Sequence, residues 1–599
     1  MKLDIDRWEK QPKLLWGLTI LWLLLIGWIV YLWNLGSIGL IDETEPLFAE
    51  ASRQITVTGD WITPYFNGAT RFDKPILIYW CQAIAFLIFG INEWAVRLPS
   101  ALSAIALMGL TFYTLRRFGI SSPRLDRPSA NSALRERQLW LSAALSATIV
   151  GLNPLTLAWG RTGVSDLLLT ACFGGALLSF FIGYATPKPA SKTRWYLAFY
   201  ILMALAILTK GPVGVVLPGA IVVAFLLYLG NLKPVLAEMR LILGGLTMLA
   251  IVLPWYVLVT WRNGESFINS FFGYHNLERF TEVVNHHDGP WYVYFLVVLV
   301  GFAPWCVYLP QAIARTRFWQ LKKWREQPRS SHLLLFALFW LAIVFVFFSI
   351  AVTKRANYIL PLIPAAAILV GLMWSEWGEG EREQGSRGAG EQGKQGEQRK
   401  KGKYGRIVSG IVNVLFLAAI AAGIFLAPKL IGYDPAVPEL IPALERSGLT
   451  VTGGVIWAAT AIAATILLLI RRYSWLWSVN LIGFLAFVIL VMMPASVLVD
   501  RVRQLPLREL SAIVTQVRQP GEELMMIGFE KPSIVFYTEQ PVKFFKQNSE
   551  AIDYLQTASK SWLILSQEKR LGKIKWQPYQ FQSLGRSGVY QLIRVFKQA

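Results

Sequence analysis

The sequence predicts an α-helical polytopic membrane protein that ends in a small α/β domain, on three observations. Of 599 residues, 54% are hydrophobic and only 16% are charged, a balance foreign to soluble multidomain chains. Apolar runs long enough to cross a ~30 Å hydrocarbon core at about 1.5 Å per residue recur along most of the chain. After residue 499 that pattern stops, and short apolar stretches alternate with amphipathic ones.

The first apolar run, Leu14 to Leu35, is followed by no small-residue cleavage site and reads as an anchor. Further runs fall at 97–115, 139–158, 166–184, 195–210, 211–229, 241–261, 291–313, 333–350, 359–374, 407–427, 453–470 and 475–498, so about thirteen transmembrane helices are expected. The stretch Pro75 to Gly90 is read as lying along the membrane surface. If it crossed, the arginine-rich loop 116–138 and the basic loop 315–329 would both face outward, against the positive-inside rule. This parity puts the N-terminus in the cytoplasm and the tail after residue 499 outside, in a multi-pass protein of the plasma (inner) membrane.

The same bias accounts for much of the formal charge of +21, some of which meets anionic inner-leaflet lipid, so no nucleic-acid partner is expected. Cys81, Cys172 and Cys306 sit inside apolar runs without metal or redox spacing, which argues against a disulfide framework. Residues 375–405 are too polar and glycine-rich to bury a core and are expected to be a disordered cytoplasmic linker. Residues 406–498 then hold the C-terminal transmembrane helices. In the outer domain, 499–599, strands are expected at Glu523–Phe529, Val542–Phe545, Trp562–Leu565 and Val589–Val595, with helices at Pro532–Thr538 and Ser549–Thr557. That domain has no His and no Cys, which fits a cap, docking surface or stabilising module better than metal chemistry.

Ionisable groups beside lipid are functional candidates by default. Asp42-Glu43-Thr44-Glu45 follows the first span directly, and Leu47, Phe48, Ala51 and Ile55 then recur at helical spacing, predicting an interfacial helix from Thr44 to Val57. That helix places Asp42 at the mouth of the bundle, although acids also suit a helix N-terminus. Pro75 forces the preceding residue out of helical geometry, which exposes the Asp73-Lys74 pair as a charge site or as an interfacial salt bridge. Asp166 is a further carboxylate at a span mouth. Lys210 and Lys354-Arg355 add cations that, with Lys74 and Arg279, either surround an anionic headgroup or snorkel from span ends. Three of the four histidines, His275, His286 and His287, share the loop 262–290, and His275 and Arg279 are spaced to share a helix face; either a metal ligand or a structural histidine fits that pattern.

Taken in order, Asp42-Glu43, Gly59-Asp60-Trp61-Ile62-Thr63-Pro64, Phe72-Asp73-Lys74-Pro75 and Arg97-Leu98-Pro99-Ser100-Ala101 resemble the polyprenyl-phosphate-sugar glycosyltransferases of the aminoarabinose-transferase and protein-mannosyltransferase type. The resemblance implies the GT-C membrane fold, with residues 1–374 as its catalytic transmembrane domain. It implies Asp42 as the catalytic carboxylate and Lys74, Arg279 and Tyr358 beside the lipid phosphate. Asp73, where the family commonly has Glu, becomes a metal or donor-site residue. The family's metal-ligating histidine aligns with Tyr274, one place before His275, so a divalent metal (Zn, Mg or Mn) is expected at Asp73 and His275.

The chemistry that follows is inverting transfer of a sugar from a polyprenyl-phosphate donor to a lipid, glycan or protein acceptor. Asp42 serves as base, Asp166 as a second catalytic carboxylate, and Lys74, Arg279, Tyr358, Lys210 and Arg355 bind the donor phosphate. A transporter of lipid-linked sugars is the alternative, since many spans and charges also fit a conduit.

Overall fold

Apolar runs fold as helices because a segment in lipid must satisfy its own backbone groups. The structure, a computed structural model, describes residues 12–120, 132–271, 273, 289–386, 394–434, 437–557 and 561–597. Among the described residues nine helices are long and apolar enough to cross a membrane. Two bent pairs raise this to eleven if each is one span: Arg135–Gly151 with Pro154–Gly160, bent by 58°, and Val293–Gly301 with Trp305–Arg315, bent by 113°. The first bend has a local cause, because Asn153 caps the second helix by accepting the Thr156 N–H at 2.9 Å just where Pro154 starts it. This is a multi-pass membrane protein.

Eleven of the thirteen expected runs fall in these helices, counting each bent pair as one. The runs at 195–210 and 211–229 do form helices, Pro189–Lys210 and Val213–Leu229. The first spends its opening turns on Ser191, Lys192 and Arg194, and the second has only 17 residues, or about 26 Å of helix. The surface-lying stretch forms Leu77–Phe89, whose 13 residues span about 20 Å, short of a crossing. The expected disordered linker also differs: residues 375–386 extend the helix Ile363–Ser386, residues 394–405 open the helix Lys394–Phe425, and 387–393 lie outside the described residues. A helix already nucleated in a span gains one hydrogen bond per added residue, and Glu, Gln and Lys propagate it well.

The helix Ser165–Ala185 is the centre of the bundle, with 89% of its apolar window buried against 22% for Leu14–Leu32 and 17% for Leu241–Asn263, which face lipid. Phe173, Phe180 and Phe181 on that central helix pack against Phe336 and Trp340 of Leu333–Ile350. Asp166 thus sits in the first turn of the most deeply buried of these spanning helices.

A short antiparallel hairpin, β1 (Tyr65–Phe66) and β2 (Ala69–Thr70), projects from the loop after the first span. The C-terminal domain is a five-stranded sheet of β3 (Glu523–Ile527), β4 (Val542–Phe545), β5 (Ser561–Gln567), β6 (Tyr579–Ser587) and β7 (Tyr590–Lys597), in the order β4-β3-β5-β7-β6. Strands β4, β3 and β5 are parallel and connected through helices Pro532–Thr538 and Asn548–Thr557, while β5, β7 and β6 are antiparallel. Four strands and both helices match the expected elements. Strand β6 and the helix Leu505–Val517 were not anticipated: β6 is an edge strand with mostly exposed side chains, so its alternation is weak.

One ion pair ties the start of this domain to its last strand. Glu522 accepts from Arg594 Nε at 2.7 Å, from Ser561 Oγ at 2.6 Å and from the Gln519 N–H at 2.8 Å. Burial works to raise this carboxyl, but the Arg594 and Ser561 hydrogen bonds outweigh it and hold Glu522 below the usual glutamate value of 4.5. The stabilisation is full above pH 4.5 and is lost as pH falls through the depressed value. A melting series of the whole protein between pH 6 and pH 3 is expected to show this acid loss, and E522Q is expected to flatten it.

Candidate functional site

The loop after the first span is fixed by a buried ion pair. Glu45 opens the helix Glu45–Thr58, and Arg97 lies in the first turns of the helix Glu93–Phe118; both side chains are 0% exposed. Arg97 uses its whole fork: Nε and Nη2 donate to Glu45 at 2.8 and 2.9 Å, Nη1 to the carbonyls of Leu35 and Ile38, and Nη2 also to Gly39. Glu45 in turn accepts the N–H groups of Ile41 and Gly163 at 2.8 and 2.6 Å. One carboxylate therefore joins the Asp42 segment to the Gly163 turn that leads into Asp166.

Neighbouring charges brace the same loop. Arg161 donates to the carbonyls of Val30, Trp33 and Asn34 at the end of the first span. Burial, with Arg97 nearby, lowers its guanidinium to about 10. Asp60 of the Gly59–Pro64 motif accepts from Arg262 at 2.9 Å and from the N–H groups of Ile62 and Thr63, which pins the loop to the helix Leu241–Asn263.

At the end of the central helix a cavity of about 150 Å³ gathers Asp73, Lys74, Asp166, Lys210, Thr353, Asn357 and Tyr358. Its remaining wall is apolar and includes Phe173, Leu217, Phe347 and Phe348. Lys210 Nζ donates to Asp166 Oδ1 at 2.5 Å and stands 4.9 Å from the centroid of the Tyr358 ring. Asn357 lines the same cavity beside Asp166, and Lys74 adds its charge to that carboxylate. Asp73 is engaged by Arg71 at 2.7 Å and by the Tyr79 hydroxyl at 3.1 Å, with Lys74 Nζ at 3.7 Å.

The structure thus brings five of the expected residues, Asp73, Lys74, Asp166, Lys210 and Tyr358, to one cavity. Arg355 does not line it; its main chain instead pairs with the Tyr294 hydroxyl, while Lys354 donates to the carbonyls of Phe348, Ser349 and Ala351 at the end of Leu333–Ile350. Arg279 and His275 lie outside the described residues. An expected metal at Asp73 meets a carboxylate already shared by two cations and a phenol, and among the described residues no group of three or more His, Cys, Asp or Glu is placed to hold a metal ion. Of the expected metal pair, Asp73 alone is among the described residues.

Asp42 does not line this cavity. It is 8% exposed and accepts from the Ser533 N–H at 3.0 Å and from Ser533 Oγ at 2.6 Å, both from the first turn of Pro532–Thr538 in the C-terminal domain. In the amide orientation that satisfies both groups, Gln504 donates to Asp42 Oδ2 at 3.1 Å and accepts the Asp42 N–H at 3.2 Å. Burial raises the Asp42 carboxyl above the ordinary aspartate value, against the opposing pull of the Ser533 hydrogen bonds and Lys531. The same interface carries Tyr537, which donates to Glu93 and accepts the Leu40 N–H. It also carries a two-way pair between the Asn67 amide and the Val542 main chain, and the ion pair Arg53–Glu539.

Sequence reasoning had signals for some of what it missed. Arg97 stood in a stretch singled out by pattern, without a role, while Arg71 lies two residues before Asp73 and Asn357 directly before Tyr358. Ser533 had none, since its partner lies 491 residues away.

Two family profiles match the chain: "Dolichyl-phosphate-mannose-protein mannosyltransferase" over residues 73–122 and 137–258, and "Cyanobacterial RgtA-type glycosyltransferase, C-terminal domain" over 517–599. Among similar proteins are undecaprenyl phosphate-alpha-4-amino-4-deoxy-L-arabinose arabinosyl transferases. That of Shewanella sediminis is 29% identical over 343 residues, 57% of each chain, and one of Proteus mirabilis is 30% identical over 345 residues, again 57% of each. The match thus spans under three-fifths of these relatives' length. Among solved structures, ArnT from Cupriavidus metallidurans bound to undecaprenyl phosphate has a TM-score of 0.74 at 21% identity, covering 96% of this chain and 97% of its own. The archaeal oligosaccharyltransferase AglB from Archaeoglobus fulgidus, in complex with an inhibitory peptide and a dolichol-phosphate, has a TM-score of 0.50 at 12% identity, covering 94% of this chain and 70% of its own.

Proposed function

We propose that this chain, which has the fold of the polyprenyl-phosphate-sugar glycosyltransferases of the GT-C class, moves a sugar from a polyprenyl phosphate to a lipid, glycan or protein acceptor on the outer face of the membrane. The observation that carries the reading is the division of the cavity's lining between polar Lys74, Lys210, Asn357 and Tyr358 and apolar Phe173, Leu217, Phe347 and Phe348. A phosphate attached to a long apolar chain has that same division. Without donor, Asp166 and Asp73 hold the two lysines; a bound phosphate shares them. In this reading Asp166, expected as catalytic, is the group that aims Lys210.

The reaction needs one proton removed and one anion released. Asp42 takes the proton of the acceptor hydroxyl, the acceptor oxygen bonds to the anomeric carbon, and the bond from that carbon to the phosphate oxygen breaks. Lys74 and Lys210 stabilise the departing phosphate. A single displacement inverts the anomeric centre. The Glu45–Gly163 hydrogen bond couples the two halves, with Asp42 three residues before one partner and Asp166 three residues after the other. The charge bias of the loops places the N-terminus in the cytoplasm and both the cavity and the C-terminal domain outside.

Titration of the purified protein with undecaprenyl phosphate tests the cavity. Lys210→Met is expected to weaken binding by about tenfold, the loss that follows removal of one charge-assisted contact. Unchanged affinity in Lys210→Met and Lys74→Met would remove this cavity as the phosphate site.

A further inference from the structure

A second cavity, of about 320 Å³, opens between the first loop and the C-terminal domain. Glu43, Phe66 and Asn67 line it from the loop, and Glu530, Pro532 and Phe544 from the domain. Its lining holds two carboxylates, both on exposed residues, and neither Lys nor Arg. Carboxylates accept hydroxyl protons and pair with ammonium groups, and aromatic rings pack on the C–H face of a sugar. The same two charges repel phosphate. The cleft is preformed, because the Asn67 amide donates to the Val542 carbonyl at 2.8 Å and accepts its N–H at 2.7 Å, fixing the hairpin to β4.

The cleft also adjoins the proposed base. Glu43 follows Asp42 in the chain and Pro532 precedes Ser533, so residues on both sides of the Asp42–Ser533 contact form its wall. There the Ser533 hydroxyl donates to Asp42 at 2.6 Å, the contact a general base makes with the hydroxyl it is about to deprotonate. An internal alcohol occupies the position an acceptor alcohol needs.

We propose that this cleft is the acceptor subsite, that it takes a neutral or amine-bearing carbohydrate in preference to a phosphorylated one, and that Ser533 Oγ yields its place to the acceptor hydroxyl. The proposal rests on the transferase reading. It gives the C-terminal domain the task of selecting the acceptor, in contrast to the donor cavity at the central helix.

The test is saturation-transfer NMR on the full-length protein in detergent, with three probes: a glucosamine trisaccharide, maltotriose and glucose 6-phosphate. The wild type is expected to bind the first two saturably and the phosphate not at all. The pair Glu43→Gln and Glu530→Gln is expected to weaken the glucosamine probe by about tenfold, as loss of a charge-assisted hydrogen bond does, and the corresponding lysine pair more strongly. Undecaprenyl phosphate affinity, measured on the same samples, should stay level and reports that the variants are folded. Equal probe affinities in wild type and variants, preference for glucose 6-phosphate, or no saturable binding of any probe would each overturn the proposal. Failure of the transferase reading appears separately, as absence of sugar transfer with donor bound, and leaves this binding result intact.

Discussion

Replacing Arg97 by methionine is expected to lower the stability of the protein by about 3–5 kcal/mol, the range for removing one partner of a buried ion pair. The reason lies in what remains: Glu45, fully buried, keeps two main-chain N–H donors but loses its counter-charge. The carbonyls of Leu35, Ile38 and Gly39 lose their donor in the same stroke. Arg97→Lys should recover only part of the loss, because an ammonium cannot reproduce the planar fork that reaches the carboxylate and three carbonyls together. A thermal melt in detergent reads both variants. A shift no larger than that of an exposed arginine would show that the first loop is held by other contacts.

Asp42→Asn is expected to cost about 10²–10⁴-fold in transfer, the usual contribution of a general base, with little change in stability. Asparagine keeps one oxygen to accept the Ser533 N–H, and its amide can donate to the Ser533 hydroxyl oxygen in place of accepting from it, so the interface with the C-terminal domain survives, but it cannot take a proton. The pH profile carries a second signature. Since burial raises Asp42, the acid limb of activity should lie above the ordinary aspartate range, with activity falling as pH drops through that raised value. Near-normal transfer by Asp42→Asn would remove it from the role of base.

How far the sequence could be read depends on the kind of contact. Asp166, Lys210 and the Asp73-Lys74 pair were each visible because charge at the end of an apolar run is costly and so informative, whereas Tyr358 came only with the family resemblance. Loop parity then put them on one side of the membrane, and they meet in one cavity. The pairing of Arg97 with Glu45, 52 residues apart, was not legible, although both stood in conspicuous stretches, because partner choice is a property of the packed bundle. The Asp42–Ser533 contact was further out of reach, joining two domains. The runs at 195–210 and 211–229 were legible as helices, but their bounds were not, because a run's composition does not reveal that one helix stops at 17 residues and the other begins with charged turns.

The central claim is sugar transfer from a polyprenyl phosphate, and its most direct test follows the sugar. Purified protein and its Asp42→Asn variant are incubated with sugar-labelled polyprenyl phosphates and a membrane extract, and label is traced into lipid, glycan and protein fractions. The account predicts that label leaves the donor only with the intact enzyme, appears in one acceptor class and carries the inverted anomeric configuration. Label that stays on the donor while the folded protein binds it through Lys210 would contradict transfer and mark a carrier of lipid-linked sugars.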